Sequence, residues 1–273
     1  MSESHNAIRA RYRHDDAPVP VTDNATLRTL FDHRSVRAYL PNALDPGTVE
    51  TLVAAAQSAA SSSNLQVWSV IAVQDPDRKG RLAALAGNQK HIVEAPLLLV
   101  WLIDFDRLTR IGEALGTRPE ALDYTESFVL GAVDASLAAQ NAVVALESLG
   151  LGSVYIGGIR NKPVEVAAEL DLPPRVFPLF GLVVGKPDPA RPASVKPRLP
   201  QASVLFHETY AWTEAQAEAA RHYDTRLRSF QREQGLTERD WSDQASERTR
   251  GPRSMAGRHV LRDVLGELGF ELR

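Results

Sequence analysis

The stretch YTESFVLGAVDASLAAQNAVVALESLGLGSVYIGGIR, residues 124–160, decides the fold of this chain. Up to Leu149 it contains no proline and only one interior glycine, Gly131, so it predicts one long helix. Apolar side chains cover nearly every face of that helix, which is typical of a helix in the core of a domain or a dimer. Asp134 and Glu147 fall within one bilayer's length and therefore argue against a membrane span.

The end of this stretch has the outline of a cofactor scaffold. Gly150 and Gly152 predict the left-handed stop that ends such a helix. A short strand at residues 153–156 then leads into Gly157 and Gly158, and a doubled glycine lets backbone N–H groups come close to a ligand.

Composition places the chain among ordinary globular proteins. It has 273 residues, 44% of them hydrophobic and 24% charged. The net charge of −3 gives no reason to expect a nucleic acid or an anionic membrane as partner. The absence of cysteine excludes disulfides, thiolate metal sites and cysteine nucleophiles. The N-terminal residues are basic without an apolar core, so we expect a cytoplasmic protein rather than a secreted one.

Three regions differ in character. Residues 1–23 are polar and predict a flexible arm. Residues 24–212 contain apolar runs at 67–74, 96–104, 153–156 and 176–185, which predict about four strands between helices and thus an α+β or α/β layered domain. Residues 213–273 predict a helical extension that packs on the same domain or on a partner subunit.

Capping residues predict where several helices begin. Asn24 is expected to cap the first helix of the layered domain. Asp45, followed by Pro46, is expected to cap the second, and Asp75 the third. The proline-rich segment at residues 186–200 predicts an extended loop.

The common catalytic motifs are missing. Gly150-Leu-Gly152 fails as a dinucleotide fingerprint, because Tyr155 stands where the third glycine belongs and a helix precedes it. His207-Glu208 lacks the second histidine of a zinc protease, and the seven histidines show no ligand spacing. We therefore expect an organic cofactor to carry the chemistry, with no metal site.

Five polar clusters lie at the ends of the predicted elements, at residues 33–37, 61–66, 87–91, 155–158 and 196–198. Each cluster alone is equally explained as a cationic helix end, a polar loop or a turn. Together they suit one ligand: arginine and lysine suit a phosphate, hydroxyls a polyol, and amides with backbone N–H groups the edge of a heterocycle.

The segments HRSVRAY, SSSNLQ, GNQKH, GAVDASLAAQNAVVALESLGLGSVYIGGIRN, LFGLVVGKP and KPRLP follow one another in this order. This series resembles the nitroreductase superfamily, and in particular its oxygen-insensitive NADPH nitroreductase and flavin reductase branch, over roughly residues 27–212. The resemblance implies a nitroreductase-like α+β fold with a mixed sheet of four to five strands around a long central helix. It also implies an intertwined homodimer that binds FMN at the subunit interface and uses NADPH and a small-molecule acceptor.

The resemblance also implies roles for individual residues. The segment that holds the FMN comprises His33, Arg34, Ser35, Val36 and Arg37. A distant basic segment completes the site and comprises Lys196, Pro197 and Arg198. Further flavin contacts are Ser61, Gln89, Tyr155, Ile156, Gly157 and Gly158, and Glu126 lines the acceptor pocket. Hydride is carried by the flavin without a catalytic side chain, and Arg37 is the expected electrostatic stabiliser.

The implied activity is two-electron, ping-pong reduction of nitroaromatics or quinones. Two alternatives remain open: a flavin reductase that supplies reduced FMN to a monooxygenase, and a non-catalytic flavin-binding dimer. For the donor, Arg232 and Arg239 are the candidate contacts with the NADPH phosphate, but the neighbouring acids Glu233, Glu238 and Asp240 weaken the expected preference over NADH.

Overall fold

The structure is a computed structural model that describes residues 3–13 and 22–273. Its helices are α1 (Glu3–Tyr12), α2 (Ala25–Phe31), α3 (Thr48–Gln57), α4 (Pro76–Leu85), α5 (Lys90–Glu94), α6 (Asp106–Ala114), α7 (Thr125–Ser148), α8 (Pro163–Glu169), α9 (Glu214–Glu233), α10 (Trp241–Thr249) and α11 (Leu261–Glu267). Its strands are β1 (Trp68–Val73), β2 (Leu97–Asp104), β3 (Gly152–Ile156) and β4 (Val176–Gly185).

Contacts divide the chain into two compact units at boundaries other than the predicted ones. The sheet unit comprises residues 35–193 and 256–273. The helical unit comprises residues 1–34 and 194–255, of which 1–2 and 14–21 lie outside the described residues.

The sheet unit is built on four strands in the order β1-β2-β4-β3, which confirms the predicted α+β fold. The sheet was predicted to be mixed, but all three of its strand pairs are antiparallel. A parallel contact occurs outside the strands' own pairing, as an isolated bridge between Ser35 and Ser153. β2 and β4 are almost entirely buried, because helices and loops cover both faces of these apolar runs.

The predicted long helix is α7, and it lies in the core of the sheet unit. A face of small side chains, including Ala138 and Ala142, packs in one cluster with Trp101 and Leu182 of the sheet. By length and mean hydropathy α7 is apolar enough to cross a membrane. Its buried face and the buried carboxylate of Asp134 identify it instead as a core helix.

The opposite face of α7 carries an exposed apolar stripe. Val129, Val133 and Leu137 follow one another at four-residue spacing and are 51%, 50% and 44% exposed. Side chains at this spacing lie on one face of a helix. The helix is therefore apolar on a buried and on an exposed side, as its sequence predicts.

Two of the three predicted helix caps are confirmed. The side chains of Asn24 and Asp75 accept hydrogen bonds from the backbone of α2 and α4, at 2.9 and 2.7 Å. The prediction for Asp45 is wrong, because α3 begins at Thr48. Gly47 adopts a left-handed φ of +81°, which breaks the helix that Asp45 and Pro46 would otherwise start.

The glycines after α7 have different roles. Gly150 has a φ of +74° and ends the helix as predicted. Gly152 is instead the first residue of β3, so the prediction that it helps to end the helix is wrong. A Cβ at Gly152 would lie 2.5 Å from Val36 Cγ2, so the glycine is needed for close packing.

In the helical unit, residues 3–12 of the predicted arm form α1, a helix that the sequence analysis did not predict. Ser4 and Ile8 are buried, and Ser4 Oγ donates a 2.5 Å hydrogen bond to Asp23. In the tail that the sequence predicts to be helical, α9 begins with a capping box between Thr213 and Gln216, and α10 follows it.

The last 18 residues belong to the sheet unit. Leu265 and Phe270 are buried in one cluster with Phe105 and Phe177. The backbone of the terminal residue, Arg273, donates to the carbonyl of Asp123 at 2.9 Å, which fixes the chain end beside the start of α7.

Candidate functional site

In the sheet unit, the predicted flavin segment at residues 35–37 lies along β3. The N–H group of Val36 donates to the carbonyl of Ser153 at 2.8 Å, and the Val36 side chain is buried against Gly152. Ser35 and Arg37, on either side of Val36, are exposed. The missing side chain of Gly152 therefore lets the segment dock and presents Arg37 at the surface.

β3 leads into a tight turn that carries Gly157 and Gly158. A Cβ at Gly158 would overlap the carbonyl oxygen of Ala86 and lie 2.9 Å from Gln89 Nε2. Gln89 Nε2 itself donates to Ala86 O at 3.0 Å. The structure thus brings together Gln89 and Gly158, which are 69 positions apart in the chain, because glycine permits this approach.

Tyr155 is the half-exposed residue of β3, whereas Ile156 is buried. The ring of Tyr155 packs edge-on against Phe180 with ring centroids 5.3 Å apart. Burial raises the pKa of Tyr155 to about 12, and the charge of Glu147 adds to the shift. The phenol is therefore protonated at neutral pH and provides a hydroxyl group rather than an anion.

His91 is a candidate that the sequence analysis missed, although it belongs to the GNQKH segment. Its Nε2 atom is buried without a hydrogen-bond partner in the described residues. Burial lowers the pKa of His91, and the positive charge of Arg37 lowers it further. At neutral pH the ring is uncharged, so it offers an unused polar atom close to Arg37.

Arg160 and Arg258 are two further residues that were missed. A Cβ at Gly157 would lie 3.6 Å from a guanidinium nitrogen of each. The pKa of Arg160 is lowered by burial and then by the charge of Arg258, and its guanidinium donates to the carbonyl of Leu179. Two cations held beside the glycine turn would stabilise a negative charge there.

Ser61, a predicted flavin contact, uses its hydroxyl within the protein. Its Oγ donates to Asp134 Oδ2 at 2.6 Å and accepts from the Gln66 N–H at 2.8 Å. The loop that follows holds Ser63 and Gln66 at left-handed φ values of 49° and 51°. Ser61 is therefore a structural anchor for the loop and keeps at most one lone pair for a ligand.

Glu126, the predicted acceptor contact, lies exposed in the first turn of α7. Asp134, which anchors the Ser61 loop, lies eight residues further along the same helix. Eight residues of α-helix span about 12 Å. The contacts among the described residues do not bring Glu126 to the Gln89–Gly158 turn.

In the helical unit, residues 33–34 of the first predicted FMN segment and residues 196–198 of the second both contact Arg11 of α1. The Arg11 guanidinium donates to the carbonyl of Phe31 at 3.1 Å, to that of His33, and to that of Lys196 at 2.9 Å. The Arg198 N–H donates to the carbonyl of Arg11 at 3.0 Å. The structure thus brings residues 33–34 and 196–198 to one side chain.

The side chains of these segments are accessible to different degrees. Arg34 forms a 2.6 Å ion pair with Asp32 and is half-buried, while Lys196 and Arg198 are exposed. Pro197 is buried, and its carbonyl accepts a 2.9 Å hydrogen bond from the Tyr223 hydroxyl. The proline therefore anchors the loop, with a cation on each side of it.

The predicted NADPH contacts are engaged by carboxylates. Arg232 forms a two-bond pair with Glu238, with both distances 2.8 Å. Arg239 contacts Glu247 at 2.6 Å. Both pairs are exposed, so a phosphate would have to displace weakly held partners rather than enter an empty cationic site.

Comparison with known proteins gives consistent matches. The profile of the Nitroreductase family matches residues 30–186, and that of the Nitroreductase family, C-terminal domain, matches residues 196–273. The chain is 39% identical over 254 residues to an FMN reductase (NADPH) of Bacillus subtilis (strain 168), covering 90% of this chain and 98% of that protein.

Two solved structures are similar over nearly the whole chain. The structure of B. megaterium NfrA2 is 40% identical with a TM-score of 0.85, and the match covers 92% of this chain and 100% of that one. The NADPH:FMN oxidoreductase from Vibrio harveyi, complexed with NAD+, is 33% identical with a TM-score of 0.81 and the same coverage.

Proposed function

The chain belongs to the nitroreductase family, and we infer that it is an oxidoreductase that binds FMN and takes hydride from NADPH. The observation that carries this inference is the turn at Gly157 and Gly158. There Gly158 packs against Ala86 and Gln89, and Arg160 and Arg258 place two positive charges beside Gly157. Such a site suits a planar heterocycle that gains negative charge during reaction.

The residues of the chain fit FMN. In the helical unit, the basic side chains of Arg34, Lys196 and Arg198 supply charge-assisted donors for a phosphate. In the sheet unit, Gln89, the glycine turn and the buried, unpartnered Nε2 of His91 supply groups for the edge of a heterocycle. An orphaned buried nitrogen is costly unless a ligand satisfies it, which supports a binding role for His91.

When bound, FMN supplies the hydride transfer. The role of the protein is to bind and orient the flavin and to stabilise the charge that develops on it. Arg160, held by the Leu179 carbonyl, provides a positioned cation, and Arg37 and Arg258 add positive charge that stabilises developing negative charge. Gly158 lets the turn pack against Ala86 and Gln89, and protonated Tyr155 offers a hydroxyl group at the end of β3. No protein acid or base is needed.

We further propose nitroaromatics or quinones as electron acceptors, with Glu126 at the acceptor pocket. Free FMN is the second candidate acceptor, and the names of the similar proteins, an FMN reductase and an NADPH:FMN oxidoreductase, favour it. Steady-state rates with NADPH and each of free FMN, a nitrofuran and a quinone distinguish these acceptors. A kcat/KM for free FMN well above the other two would assign the flavin reductase function; the reverse order would assign the nitroreductase function.

We also propose a homodimer, because the exposed stripe of Val129, Val133 and Leu137 adds a second apolar face to the core helix. Val133→Glu is expected to shift the sedimentation of the protein towards the monomer. A folded, flavin-loaded wild-type monomer at micromolar concentration would contradict the dimer. The cytoplasmic location expected from the N-terminal sequence stays a prediction.

A further inference from the structure

The match to the Nitroreductase family profile covers residues 30–186, so helix α1 lies before it. Even so, α1 contacts both segments that we assign to the FMN phosphate. We propose that α1 is a cofactor-ordering element, in which Arg11 holds residues 33–34 and 196–198 at the spacing that binds the phosphate. The proposal rests on the proposed function, because it requires FMN to be the ligand of these segments.

The contacts of Arg11 identify it as a positioning residue. Its guanidinium donates hydrogen bonds to the backbone carbonyls of Phe31, His33 and Lys196. A guanidinium presents five donors in a planar fork, which suits several carbonyls that converge from different segments. Lys196 is 185 positions away from Arg11 in the chain, so this one side chain ties together segments that are remote in sequence.

The carbonyls that Arg11 binds set the direction of the peptide groups next to them. Phe31 is the last residue of α2, where a cation stabilises the negative end of the helix dipole. The described residues contain no cis peptide bond, so the N–H of Arg34 points opposite to the His33 carbonyl and away from Arg11. By binding the carbonyl side, Arg11 fixes the orientation of the donor side of this segment.

α1 is itself held firmly enough to act in this way. Arg13 lies over the ring of Phe230 at 5.0 Å and pairs with Glu233 at 2.7 Å. At the other end of the helix, Ser4 is fully buried and bonded to Asp23. Arg11 therefore works from a helix that is anchored on both sides, rather than from a free chain end.

The test compares two flavins that differ only in the phosphate. Full-length wild type, Arg11→Ala, Arg11→Lys and Arg9→Ala are loaded with FMN or with riboflavin, and the release of each flavin is followed by its fluorescence after dilution. Arg9 is an exposed arginine on the same helix, so its replacement controls for the loss of one charge.

We expect Arg11→Ala to release FMN about 10- to 100-fold faster than wild type while its riboflavin release stays unchanged. Arg9→Ala should behave like wild type. Arg11→Lys keeps the charge but loses the fork, so it should show a smaller loss that is again selective for FMN. Should Arg11→Ala fail to fold, Arg11→Lys alone carries the test.

Three results would overturn the proposal. Wild-type release rates of both FMN and riboflavin in the Arg11 variants would show that Arg11 does not order a phosphate site. Equal acceleration of both flavins would show general loosening of the fold. A wild type that binds no FMN would remove the proposed function and this inference together, which distinguishes that failure from the other two.

Discussion

Ser61 Oγ lies 2.6 Å from Oδ2 of Asp134, a carboxylate that is only 2% exposed in the middle of the core helix. The second carboxylate oxygen accepts from the Ser62 N–H at 3.1 Å. The buried charge is thus balanced by neutral donors of the loop at residues 61–66. In return, Asp134 holds a loop in which Ser63 and Gln66 adopt unfavourable left-handed conformations.

Asp134→Ala should therefore destabilise the protein, because it leaves the Ser61 hydroxyl and the Ser62 N–H without their acceptor. Each lost hydrogen bond costs about 0.5–1.5 kcal/mol, so we expect the loss of two to lower the urea midpoint. Asp134→Asn, which keeps one acceptor, should lose less. Glu113→Ala removes an exposed acid from α6 and is the control. Equal midpoints for Asp134→Ala and the control would refute the anchoring role.

Gly152→Ala tests the docking of the segment that carries Arg37. The new methyl group would lie 2.5 Å from Val36 Cγ2, and such overpacking costs about 1–3 kcal/mol. We expect lower stability and faster flavin release, and partial recovery of both when Val36→Ala is added. Gly80→Ala is the control: nothing lies within 4 Å of its Cβ position, so this helix substitution should be neutral or stabilising. A Gly152→Ala protein as stable as the Gly80→Ala control would count against the packing explanation.

His91 makes stability depend on pH. Its pKa in the folded protein lies below the ordinary value of 6.5, because burial and Arg37 disfavour the charged ring. The unfolded chain then binds a proton that the folded protein does not. The free energy of unfolding therefore falls as the pH drops through the pKa of His91 in the unfolded chain towards its lower pKa in the folded protein. His91→Asn should flatten the fall in the free energy of unfolding between about pH 8 and pH 5.

The control for this prediction is His222→Asn, on the exposed surface of α9. It should leave the slope of stability against pH as in wild type. If His91→Asn shows the wild-type slope as well, the buried imidazole does not contribute to the pH dependence.

The preference for NADPH should respond in opposite directions to two double variants. Arg232→Ala with Arg239→Ala removes both candidate phosphate contacts and should raise KM for NADPH alone. Glu238→Gln with Glu247→Gln releases the same guanidinium groups from their carboxylates and should lower it. An exposed guanidinium–phosphate contact is worth about 1–2 kcal/mol, so each change should be roughly 5- to 30-fold in the ratio of kcat/KM for NADPH over NADH.

Wild-type protein that uses NADPH and NADH equally well would contradict the assigned donor. An unchanged ratio in both double variants would instead place the selecting residues elsewhere, with Arg226, Arg228 and Arg248 as the next candidates in the same tail.

Much of the fold could be predicted because its signals are local. The apolar runs of β2, β4 and α7 are long and continuous, and Asn24 and Asp75 cap helices through residues three positions away. The start of α3 was missed because the left-handed conformation of Gly47 overrides the Asp-Pro signal. The start of this helix was mispredicted because the backbone conformation of one glycine, and not the capping signal before it, decides where the helix begins.

The candidate site was predicted only in part, because several of its residues act through long-range contacts. Gln89, Gly157 and Gly158 lie in recognisable segments of sequence. Arg11 and Arg258 do not, since their positions depend on how remote segments meet in the folded protein. Ser61 lies in a recognised segment but is committed to Asp134, a bond across 73 positions that no local pattern reveals.

The oxidoreductase activity is tested by anaerobic addition of NADPH to the purified, flavin-loaded protein. An FMN-dependent oxidoreductase should lose the yellow flavin band as NADPH is added, with one NADPH consumed for each flavin, and the band should return when a nitroaromatic, a quinone or free FMN is supplied. A flavin band that stays unchanged in the presence of excess NADPH would contradict this assignment and leave a flavin-binding protein without reductase activity.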